Sequence, residues 1–167
     1  MSRPALDTGN QTRTGWNGFI EPAPLTDVTE LGYQAIDRVL AGEEPDAGAA
    51  LAALCLDHGH DGLITNATNW ARILLANTPE NLRGHDGSPR VEHLLPTRHA
   101  GNDQARAAVA RYVGAWHTHD GALAQRIYAE QATRTLHLCQ FLTQLLFATA
   151  NAISPPDRQS PLKGRPS

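Results

Sequence analysis

A chain of 167 residues with 41% hydrophobic and 19% charged residues has the make-up of one globular domain with a real core. Its formal net charge of −3, with Lys163 as its only lysine, gives no duplex-sized basic footprint, so nucleic-acid binding is not expected. Two cysteines do not make a disulfide framework, and the opening "MSRPALDTGNQTRTG" lacks the apolar core of a signal peptide; the expected setting is cytoplasmic.

Three regions are predicted: a flexible N-terminal arm over 1–25, a helical bundle over 26–153 and a disordered tail over 154–167. The arm carries "GWNGFIEP" at 15–22. Trp16, Phe19 and Ile20 are large apolar side chains in a segment unable to fold alone. They either pin the arm to the body or anchor it in a partner's groove.

The first predicted helix covers 27–41, with Asp27 and Glu30 at capping-box spacing. Val28, Leu31, Ala35, Ile36, Val39 and Leu40 share one face, and Gly42 ends it. The second, "DAGAALAALCLDH" over 46–58, is apolar around most of its circumference and is expected to be deeply buried, with Cys55 a buried thiol. The third starts at Asp61 and stops before Pro79, with Leu63, Ala67, Trp70, Ala71 and Leu74 inward and Asn66, Asn69 and Arg72 elsewhere.

The connection over 78–101 is long for a compact domain, with "VEHLL" adding a turn of helix. The fourth helix, 102–117, turns Val109, Tyr112, Val113 and Trp116 inward. The fifth is read as one rod over 120–153, about 50 Å long, closed by Pro155 and Pro156. It contains Cys139, a second buried thiol. Thr133, His137, Gln140, Gln144 and Asn151 form a polar seam along it, as on a central bundle helix or one shared between subunits. That seam argues against a membrane span, although no Asp, Glu, Lys or Arg occurs over 135–156. No stretch alternates like a strand, so the fold class is all-α: a bundle of about five helices around a long C-terminal one.

His-Asp-Gly recurs in "HGHDG" at 58–62, "GHDG" at 84–87 and "HTHDG" at 117–121. If the outer two met, His58, His60, Asp61, His117, His119 and Asp120 would offer imidazole and carboxylate ligands to zinc or manganese, and a metal-bound water would serve a hydrolase. His85, Asp86, Glu92, His93 and His99 add to the pool. Residues two apart face opposite ways on a helix, however, and no His-Glu-x-x-His or Glu-x-x-His occurs on any predicted helix.

Turn chemistry accounts for the same letters. Asp61 and Asp120 stand where an N-cap acceptor is wanted, Gly59 where a left-handed C-cap falls, and the histidines at the carbonyl ends of the preceding helices. The 84–87 copy is a loop turn.

"ALCLDHGH" at 53–60 resembles, over eight residues, the "ALLHDIGH" stretch of the metal-dependent, all-helical HD-domain phosphohydrolases. Leu56 stands where that family has its ligating His, and His58 replaces an apolar residue. No family function is carried over.

With catalytic spacings absent and a terminal helix so apolar, the expected function is a non-catalytic interaction or regulatory module that needs no cofactor. Its partner is protein or a second copy of itself, joined through the fifth helix and the arm. The rival readings are the metal-dependent hydrolase and a small-molecule sensor with a pocket lined by Trp70, Tyr112 and Trp116.

Overall fold

The computed structural model describes residues 27–95 and 103–154. The expectations for Trp16, Phe19, Ile20 and His99, for the side chain of Asp27 and for the tail from 155 lie outside the described residues. Among the described residues five α-helices pack together: α1 (Asp27–Leu40), α2 (Glu44–Asn77), α3 (Asp103–His117), α4 (Gly121–Gln131) and α5 (Thr135–Ile153). Two short 3-10 turns, Glu80–Leu82 and Val91–His93, lie between α2 and α3. The second of these is the helical turn expected in "VEHLL".

Helix α1 ends as its sequence requires. Gly42 takes φ +79°. Its N–H bonds the carbonyl of Val39 and the N–H of Glu43 that of Arg38, the paired bonds of a Schellman cap. α1 then lies on α2 through a close backbone approach at Gly32. A Cβ there would fall 1.8 Å from Asn66 Oδ1. Asn66 Nδ2 donates to the carbonyls of Val28 and Gly62, and Trp70 Nε1 to that of Gly32. Asn66 and Asn69 are therefore buried rather than turned away as expected. An amide can enter an apolar contact when it bonds a neighbouring backbone.

The two helices expected over 46–58 and 61–78 form one element, α2, kinked at Gly59. Gly59 has φ +63° and ψ −155°, a region open essentially to glycine alone and not the left-handed helical cap expected. The inner face of the second half is as predicted: Leu63, Ala67, Trp70, Ala71 and Leu74 are all buried.

The single rod expected over 120–153 is instead α4 and α5, divided at 132–134. Arg134 is extended, at φ −135° and ψ +131°, and the Thr133 hydroxyl donates to the carbonyl of Glu130. Apolar residues keep helical register across the break, which is why periodicity alone does not reveal it. Length decides the matter. α3, which packs against both α4 and α5, has 15 residues, about 22 Å, so a rod of about 50 Å would run well past it.

α5 touches α1, α2, α3 and α4, with Phe141, Leu145 and Leu146 in the core. It is long and apolar enough to cross a membrane, but 61% of that window is buried inside the fold. Two residues of its polar seam reach other parts of the fold. His137 lies 3.5 Å from Gln104 of α3, and Asn151 Nδ2 donates to the carbonyl of Leu94 at 2.7 Å. On its flank, the Thr149 hydroxyl donates to Leu145 at 2.8 Å.

Candidate functional site

The residues singled out by the His-Asp-Gly pattern fall into separate places. His58 is half-buried beside α1, in a cleft with Glu30, Leu31 and Asp57. His60, beyond the kink, faces α4: its Nδ1 is 3.0 Å from the Tyr128 hydroxyl, with the rings perpendicular. Asp61 is exposed and makes no cap hydrogen bond among the described residues. The kink puts it in the first helical turn after Gly59, where a carboxylate favours the dipole without capping.

His117 ends α3 beside the turn at Gly87. His119 lines a cleft of about 590 Å³ with Arg72, Leu75, Ala76 and Trp116. His60 and Arg72 are twelve residues apart along α2, about 18 Å, so the two outer copies lie near opposite ends of its second half. Among the described residues no three His, Cys, Asp or Glu side chains converge as a metal site.

The other two copies, at 84–87 and 117–121, instead do local backbone work. His119 takes φ +62°, the left-handed residue of a Schellman cap on α3. Its N–H bonds the carbonyl of Trp116, and that of Asp120 bonds Ala115. Asp120 then caps α4, its carboxylate accepting the N–H of Leu123 at 3.0 Å. One aspartate so closes one helix with its backbone and opens the next with its side chain.

In the 84–87 copy, Gly87 has φ +82° and Asp86 Oδ1 accepts both the hydroxyl and the N–H of Ser88. Those two bonds hold the Asp86 carboxyl below its ordinary pKa. Arg83 fixes this loop, donating to the carbonyls of Leu75, Thr78 and Gly87. Nothing in the spacing singled out Arg83, because its partners are backbone oxygens brought near only by the fold.

The surface that sequence reading missed lies between the first half of α2 and the start of α5. That half was expected to be deeply buried, yet only one side of it is. Leu54 is buried, while Leu56 is 85% exposed and Cys55 also reaches the surface. Cys139 on α5 is exposed as well, so neither thiol is the buried core residue expected. Both sulfhydryls line one groove of about 510 Å³, with Leu51, Ala52, Leu56 and Leu63 from α2 and Thr135, Leu138, Leu142 and Thr143 from α5. None of these residues is charged, and Leu136 beside them is 66% exposed. The available signal was a helix apolar around most of its circumference, one side of which no element covers among the described residues.

Of the sensor candidates, Trp70 and Tyr112 are fully buried core residues, and burial pushes the Tyr112 phenol up. Only Trp116 reaches a surface cleft. No protein-family model, curated protein or solved structure matches the chain.

Proposed function

We propose that this chain is a non-catalytic helical interaction module. Its working surface is the groove between the first half of α2 and α5, and its partner is an apolar protein segment, in the first instance a second copy of the chain. The observation that carries this reading is the exposure of Leu56, 85%, at the rim of an uncharged groove floored by Leu138 and Leu142. Large apolar side chains grouped on one surface lower their free energy by being covered, by roughly 25 cal/mol for each Å² removed from water.

Light scattering over a concentration series, on the wild-type chain and on Leu56→Asp, tests the reading. The wild type is expected to gain mass with concentration. The variant, whose new carboxylate would have to be desolvated on association, is expected to stay monomeric. A concentration-independent monomer that also retains no protein from lysate would overturn it.

A further inference from the structure

We infer that the groove between α2 and α5 is filled by the chain's own N-terminal arm, through Trp16, Phe19 and Ile20. The inference does not require that the groove also take a partner. It begins from where the arm enters the described structure. The carbonyl of Val28, in the first turn of α1, is held by Asn66 Nδ2 at 3.0 Å. Asn66 lies one helical turn beyond Leu63, the last residue of α2 along the groove.

Reach fits the groove. Seven Cα steps separate Ile20 from Asp27, and Pro22 and Pro24 favour extended backbone between them. Fully extended at about 3.1 Å per residue, a connection of that length reaches about 22 Å. The α2 wall, from Leu51 to Leu63, crosses the Gly59 kink, so its twelve steps span at most about 18 Å.

Chemistry fits as well. "GWNGFI" at 15–20 carries no charge, and neither does any residue lining the groove. A volume of about 510 Å³ accommodates more than one large side chain. Tethering adds the rest. A segment on a short linker acts at an effective concentration on the order of millimolar, so nine-tenths occupancy requires an intrinsic affinity no tighter than about 0.1 mM. Any outside partner must then displace the arm, which makes the arm a built-in competitor.

The two groove thiols report occupancy directly. In the full-length chain, Cys55 and Cys139 would be modified by Ellman's reagent, with Cys55→Ser and Cys139→Ser assigning each rate. Replacing Trp16, Phe19 and Ile20 together by serine is expected to raise both rates about tenfold at unchanged helicity, the factor set by the nine-tenths occupancy above. Leu56→Asn, which makes the groove polar at an exposed position without placing a charge beside Cys55, is expected to do the same. Equal rates in the wild type and both variants overturn the inference. Wild-type rates that climb on dilution overturn it too, because they assign the cover to a second copy. Either failure leaves the light-scattering test of the interaction module standing.

Discussion

The imidazole of His60 and the hydroxyl of Tyr128 meet at 3.0 Å and tie α2, just beyond its kink, to α4. Tyr128 is buried and its ring also stands edge-on to Phe141 of α5, so the pair joins three helices. Loss of hydration, and to a smaller degree the neighbouring Tyr112 and Cys55, push the phenol up from 10.0 to about 12. Tyr128→Phe keeps the ring and removes the hydrogen bond. The expected cost is about 1 kcal/mol in urea denaturation at neutral pH.

A pH dependence follows from the same shift. The folded chain holds the phenolic proton more tightly than the unfolded chain, whose tyrosines ionise near 10. The contribution is therefore complete below pH 10 and is lost as pH rises toward about 12. Ultraviolet titration of the wild type against Tyr128→Phe should remove one late-ionising tyrosine. An unchanged titration curve would refute the assignment.

His119 occupies a left-handed conformation that costs a residue with a Cβ roughly 1–2 kcal/mol, offset in part by the backbone freedom glycine loses on folding. His119→Gly is expected to stabilise the fold by about 0.5–1 kcal/mol. Thermal melts at matched pH would read it. Destabilisation would mean that the imidazole contributes more at the Trp116–Arg72 cleft than the backbone strain costs.

Two glycines should fail for different reasons. At Gly59 a Cβ meets nothing within 4 Å, but φ +63° with ψ −155° excludes it; Gly59→Ala is expected to cost about 1–3 kcal/mol through backbone strain alone. At Gly32 a Cβ would strike Asn66, and Gly32→Ala is expected to cost about 1–3 kcal/mol by parting α1 from α2. Pairing each with Asn66→Ala separates them by double-mutant cycle. Coupling is expected for Gly32 and not for Gly59.

Arg83 uses three of its nitrogens on carbonyls of 75–87, a geometry that a lysine ammonium does not reproduce. Arg83→Lys should raise hydrogen exchange across 84–90 while leaving exchange in α5 unchanged. Equal protection in both chains would show that the turn holds itself.

Adding zinc or manganese to tag-free protein is expected to leave the melting temperature unchanged. His60 and Asp120 are engaged with Tyr128 and Leu123, and the other four candidates are dispersed. A ligand specific to the folded state must raise the melting temperature by mass action, so a rise would revive the hydrolase reading.

Much of the architecture is legible in local pattern. Apolar residues at helical spacing mark α1, the second half of α2 and α3, and Gly42 and Asp120 mark junctions through chemistry that acts within a few residues. What the tertiary structure alone decides involves distant partners. The 120–153 stretch keeps helical register throughout, yet breaks at 132–134, where Arg134 turns extended and both α4 and α5 fold back onto α3. Asn66 reads as a surface residue until α1 supplies a carbonyl, and Leu56 as core, though among the described residues no helix covers it. Capping and periodicity are short-range and so are written in neighbouring letters. Burial depends on which surfaces meet, and only the folded arrangement of α1, α2 and α5 settles that.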